Sequence, residues 1–277
     1  VLNRIVIDSQ LGGARAYEVD LAVRHLPATQ ANDLLLLDRG YASDLRLATC
    51  IQPQRQFVVR GSAATFQTAR PMLEGLGADH QVINLTPSLG QRLTIIALGL
   101  PSSLTVRFVR VRLPNGELEV LVTNLLSETL FPTSSFSRLY HLRWGVETLY
   151  GVVKARLQLE NFSGLTAESV RPDFFATIFI TNLESVLTEE ATTKLKKKTA
   201  KNRHPQQVNQ AVSFNAIKNY VIALFYLENH SEARLRQLTQ LFLTNPNSVR
   251  PQRSVPRRQR SPTPRLNYHR RVKKICF

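Results

Sequence analysis

Four consecutive leucines bracketed by acids, Asp33-Leu-Leu-Leu-Leu-Asp38, restrict the fold more than any other stretch of the chain. The run is too short for a helix, and its unbroken apolarity reads as a strand buried on both faces, which needs a sheet covered by helices on each side. Its surroundings agree. Gly40 permits a sharp turn, Ser43 or Asp44 caps a helix through about Cys50, and Gln56 to Arg60 reads as a second buried strand. Upstream, Val1 to Asp8 reads as a strand, Leu11-Gly-Gly as a turn, and Ala16 to Leu26 as a helix stopped by Pro27. This strand-helix-strand alternation predicts an α/β core over residues 1–60. Asp38 at the carboxyl end of a buried strand lies where open α/β sheets place ligands; alternatively it caps the following turn.

From Gly61 to Glu119 the texture is strand-rich. Val82 to Leu85, Leu93 to Leu98, Leu104 to Leu113 and Leu118 to Val122 read as strands, the last two joined at Pro114-Asn115-Gly116 by a strong hairpin signal. Residues 61–120 are therefore expected as a β-rich insertion, with the chain re-entering the core at Leu121.

Ser135 to Lys154 then reads as one long helix behind Pro132. At about 100° per residue, Tyr140, Arg143, Glu147 and Lys154 fall within an arc of about 60°, beside an apolar stripe of Leu139, Leu142, Val146, Leu149 and Val153. A cleft edge has this character; so does an amphipathic helix with an i,i+4 Arg–Glu pair. Ser169 to Glu190 carries Phe174, Phe175, Ile178, Phe179, Leu183 and Leu187 at helical spacing, expected as core, and Asn215 to Leu227 forms another apolar segment.

The net charge of +16 is localised. Residues 194–203 hold six basic residues and 249–277 hold ten, neither with an acid; taking these 16 from the 36 Lys and Arg leaves 20, equal to the 20 Asp and Glu. Two such runs suit a polyanion, since each neutralised phosphate releases counterions, although a solubilising tail shares the composition. No apolar run approaches the roughly 18 residues of a membrane helix. Cys50 and Cys276 have neither metal-ligand spacing nor disulfide density, which fits a reducing cytosol.

The spacing Tyr140-x2-Arg143-x3-Glu147-x6-Lys154, together with Leu-Leu-Leu-Asp38-Arg-Gly-Tyr41, resembles the insertion-sequence-four family of DDE transposases, of the Tn-five-like kind. The likeness covers roughly residues 1–190. It implies an α/β, ribonuclease-H-like core (1–60 and 121–190) interrupted by the insertion; beyond it, the residues themselves read as a C-terminal helical region (191–244) and a basic, flexible tail (245–277). It also implies that Asp38 and Glu147 are catalytic and ligate Mg²⁺ or Mn²⁺, because hard cations take carboxylate oxygens. Tyr140, Arg143 and Lys154 would hold transposon-end DNA. The implied partners are transposon ends and target DNA, bound by a homodimer without membrane involvement, in a bacterial cytoplasm and associated with the nucleoid.

The first catalytic aspartate of that family has no match. Asp8 stands only 30 residues before Asp38 and reads as structural, so the chain is expected to be an N-terminally truncated copy; it also lacks an initiator Met. Within the insertion, Phe108 is the candidate for a base-stacking group, the lone tryptophan being Trp144. Competing expectations are a catalytically inactive DNA-binding remnant and a nuclease on the same fold.

Overall fold

The leucine run folds as strand β1 (Leu34–Leu37), but at the edge of its sheet and only half buried. The computed structural model describes residues 3–13, 16–52, 54–159, 161–164, 166–226 and 231–250. They divide into two compact units, one of residues 7–147 and one joining 3–6 to 148–250.

In the first unit, helix α1 (Glu18–Val23) precedes β1, and helix α2 (Asp44–Ile51) is capped by Ser43, whose Oγ accepts the Arg46 N–H at 3.4 Å. Strand β2 (Gln56–Arg60) pairs parallel with β1, Leu37 opposite Val59. Short helix α3 (Ala69–Leu73) leads to β3 (His80–Leu85), helix α4 (Leu89–Ala97), β4 (Leu104–Arg112) and β5 (Leu118–Thr123). The sheet order is β1-β2-β5-β4-β3, antiparallel except for the first pair. The strands of the 61–120 stretch hydrogen-bond into the same sheet as β1 and β2. The β4–β5 hairpin forms as expected, with Gly116 at φ 88° accommodating the turn.

Two expected strands are not strands. Leu93 to Leu98 lies in and just after α4, where a short apolar run cannot be told from helix by periodicity alone. Gly99, at φ 64°, closes that helix: its N–H donates to Ile96 O and the Leu100 N–H to Ile95 O, both at 3.0 Å, a Schellman stop. Residues 3–8 form no ladder. In the second unit, the Val6 N–H donates to Asn182 Oδ1 (2.7 Å), Asn182 Nδ2 donates to Val6 O (2.8 Å), and Ser185 Oγ donates to Arg4 O. Side chains therefore satisfy the backbone groups a sheet would have used.

Period-two alternation gives each sheet face its own core. Phe57, Val59, Val106, Phe108, Val120 and Val122 pack with Leu47, Ala48 and Met72 of α2 and α3, so Phe108 belongs to the interior. Val58, Val109, Val111 and Leu121 face the other way, against Phe136 and Tyr140. Those last two residues belong to α5 (Phe136–His141), which is separate from α6 (Trp144–Ala155).

The second unit is built on α7 (Ala167–Thr199), with a two-stranded ribbon of β6 (Gln206–Val208) and β7 (Pro246–Ser248) and helices α8 (Gln210–Tyr226) and α9 (Ser231–Thr244). Its core includes Ala191, Leu195, Val208, Ala216, Leu238 and Phe242. Of the α7 residues expected as core, Leu187 packs against that cluster and Phe174, Ile178 and Leu183 are part-buried, but Phe175 and Phe179 are about half exposed, whereas Thr177, Thr181, Glu184, Ser185 and Thr188 are buried. Burying that polar stripe is tolerable because the hydroxyls donate to carbonyls four residues back, as Thr181 does to Thr177 O at 2.7 Å. The basic run of 194–203 begins on the exposed last turns of α7; most of the other, 251–277 with Tyr268, Cys276 and Phe277, lies outside the described residues. Among the described residues no helix is long and apolar enough to cross a membrane.

Candidate functional site

Strand register brings three charged side chains to one end of the sheet. Leu34 and Leu36 lie against the α5 side of the sheet, so alternation sends Asp38, just past β1, to that side; Val58 does the same for Arg60, and Leu121 for Glu119. β1 and β2 run parallel and therefore finish together, and β5 runs antiparallel, so its start meets their ends. Arg60 Nη1 donates to Glu119 Oε1 at 2.7 Å, and Arg60 Nε lies 3.8 Å from Asp38 Oδ1. Neither Nε nor Oδ1, both buried, has a hydrogen-bond partner among the described residues.

α5 closes this end of the sheet. The Tyr140 ring is buried, and its hydroxyl donates to Leu37 O at 3.0 Å, the carbonyl immediately before Asp38. Burial pushes the phenol pKa well above its ordinary value, against the lowering charges of Arg143 and Arg60, so it remains a neutral donor. Its polar atom ties helix to strand.

The single helix expected from Ser135 to Lys154 is interrupted at Leu142 and Arg143. Amides of Leu142, Arg143, Gly145 and Val146 donate to carbonyls three residues back, a tighter winding that advances nearer 120° per residue. A helical arc drawn at 100° therefore does not carry across the junction. The apolar stripe suffers too, since Leu142 is exposed while Arg143 is buried. What survives is local. Both terminal nitrogens of Arg143 donate to Glu147 Oε1 at 3.1 Å, and its guanidinium lies 4.6 Å from the Trp144 ring centroid and 5.9 Å from that of Tyr140. Glu147 is about half exposed. A chain of contacts in the first unit thus runs from the Leu37 carbonyl, next to Asp38 in sequence, through Tyr140 and Arg143 to Glu147. Lys154, exposed and later on α6, belongs to the second unit.

Asp38 and Glu147 suit a hard divalent cation as oxygen donors, and the unpartnered Oδ1 of Asp38 is a lone-pair site of the right kind. The set is short in number: among the described residues no three His, Cys, Asp or Glu side chains are grouped to hold a metal. Asp8 does not join. Its carboxylate accepts from the Ser9 N–H (2.8 Å) and Gln10 Nε2 (3.1 Å) and meets His25 Nδ1 at 2.8 Å, all local contacts. Arg60 and Glu119 do not stand out in the sequence, because their relation to Asp38 needs the register of three strands. The usable signal was parity, Arg60 being two residues beyond Val58.

The profile of the transposase DDE-domain family matches residues 2–183. No curated protein matches the chain.

Proposed function

The chain belongs to the transposase DDE-domain family, and from that premise we propose that it acts on the ends of an insertion sequence of the insertion-sequence-four type, cleaving and transferring DNA strands with a divalent cation. Under this proposal the mixed sheet is a ribonuclease-H-like core, Asp38 and Glu147 are the two carboxylates that would hold Mg²⁺ or Mn²⁺, and the ion supplies positive charge at the scissile phosphate. The observation that carries the reading is the run of contacts from the Leu37 carbonyl, one residue before Asp38, through Tyr140 and Arg143 to Glu147, at the end of the sheet where β1 and β2 finish.

The chain's own residues divide the work. Arg143 grips a phosphate with its fork, releasing Glu147 from the i,i+4 pair as it does so. Lys154 adds a point charge on α6. Tyr140 keeps its proton and holds α5 against the strand end. The exposed lysines at the end of α7 add sequence-independent affinity. The protein works as a homodimer on paired ends, in the cytoplasm at the nucleoid.

The test is cleavage of duplexes made from the DNA flanking its gene. Mg²⁺-dependent nicking that Asp38→Asn and Glu147→Gln each abolish is the expected result, and nicking that persists unchanged in either variant refutes the assignment. A second reading, a DNA-binding protein without cleavage, is favoured by the absence of a three-carboxylate group among the described residues. It requires salt-dependent binding with no nicking, with a log–log salt slope that falls by about one in Arg143→Ala.

A further inference from the structure

Asp38 and Arg60 are neighbours by construction. Parallel pairing sets Leu37 opposite Val59, so the residue after each lies at the same end of the sheet, and alternation turns both to the α5 side. A charge-assisted N–H···O bond spans about 2.7–2.9 Å. The 3.8 Å between Arg60 Nε and Asp38 Oδ1 is therefore close enough to balance charge and too long to saturate either atom. The guanidinium is anchored on Glu119, which takes Nη1 at 2.7 Å and whose side chain is only 16% exposed. Burial alone would lower the Arg60 pKa, but the Glu119 hydrogen bond and the charges of Glu119 and Asp38 raise it above its ordinary value, so the group is a permanent cation.

We propose that Arg60 is a positioning residue that takes a cation's place beside Asp38: anchored on Glu119, it balances the Asp38 carboxylate when no divalent ion is bound and competes with such an ion for Oδ1. The inference rests on Asp38 being a metal ligand, and it adds a regulatory element to that site. A dication approaching Oδ1 meets a fixed positive charge on its way in, and binding requires the guanidinium to withdraw further toward Glu119. Removing the guanidinium should therefore strengthen ion binding, the reverse of what loss of a supporting residue does.

The test is Mn²⁺ binding to the full chain, followed by the loss of the free-ion electron paramagnetic resonance signal. It compares wild type with Arg60→Met, Arg60→Gln, Arg60→Lys and Asp38→Asn, each verified as folded by circular dichroism. One unit charge about 4 Å away at an effective dielectric near 20 is a large effect, so Arg60→Met and Arg60→Gln are expected to bind Mn²⁺ about tenfold more tightly, or better. Arg60→Lys keeps the charge and should stay within about threefold of wild type on the same electrostatic reasoning. Asp38→Asn should bind far more weakly. If Asp38→Asn binds weakly but neither Arg60→Met nor Arg60→Gln gains affinity, the role of Arg60 is overturned and Asp38 stands as a ligand. If Asp38→Asn binds as well as wild type, the ligand assignment itself fails.

Discussion

Tyr140→Phe separates two roles for one residue. The hydroxyl donates to Leu37 O at 3.0 Å, and the ring is packed against Phe136, Val58, Val109 and Leu121. Deleting the hydroxyl alone leaves the ring in place, so the loss is one buried neutral hydrogen bond, about 0.5–1.5 kcal/mol, rising to about 2 kcal/mol if the Leu37 carbonyl finds no new donor. Tyr140→Ala also removes the ring, and large aromatic-to-alanine changes in cores cost about 3–5 kcal/mol. Urea unfolding should order the proteins as wild type, Tyr140→Phe, Tyr140→Ala, with the first gap the smaller. If the hydroxyl is engaged with Leu37 as described, Tyr140→Phe should change DNA affinity little, because no phosphate contact is lost. The opposite pattern would refute the reasoning: unchanged stability with a DNA affinity lowered tenfold, about 1.4 kcal/mol, would place the hydroxyl on DNA.

Three further outcomes follow from buried groups. Glu184 is 2% exposed and accepts from Ser213 Oγ at 2.6 Å; burial raises its pKa above the ordinary 4.5, more than the Ser213 hydrogen bond lowers it. The folded chain then holds this proton more tightly than the unfolded chain, so the group's stabilising contribution is complete below about 4.5 and is lost as pH rises toward the raised folded value. Glu184→Gln should therefore gain stability relative to wild type between pH 4.5 and 7 in pH-stepped urea titrations, and a constant difference across that range would count against the burial argument. Burial pushes the Cys50 thiol up to about 11, against the lowering charge of Arg55, so in a Cys276→Ser background it should not react with a disulfide reagent at about pH 8 until the protein unfolds; reaction on mixing would contradict this. Arg107 is fully buried, donates to Phe131 O (2.8 Å), Thr133 Oγ1 (2.7 Å) and Glu128, and lies 5.3 Å from the Phe136 ring. Arg107→Met should cost about 3 kcal/mol in urea unfolding, and a loss below about 0.5 kcal/mol, the range of ordinary surface substitutions, would show that this junction before α5 does not depend on it.

Some of the protein was written in local sequence. Four leucines between acids specified a strand, Ser43 a helix start, Pro114-Asn-Gly a hairpin, and the Arg143–Glu147 spacing an ion pair, because each depends on residues within a few positions of one another. Parity along β1 and β2 also fixed which face each residue takes. Other features required the fold. Whether a strand is central or at the edge depends on partners far away in the chain, which is why β1 is only half buried and why β3 to β5 lie in its sheet. The break between α5 and α6 lies where Tyr140 reaches the end of β1 and Arg143 is buried, and no periodicity records that. The polarity of α7 misled in part: threonine and serine hydroxyls that satisfy themselves on their own helix can face inward, leaving Phe175 and Phe179 outside. The sequence by itself determined those elements whose signals are local: the leucine strand, the capped helix α2 and the β4–β5 hairpin. Only the tertiary structure decided that Arg60 and Glu119 stand beside Asp38, because register is a relation between strands and no single segment contains it.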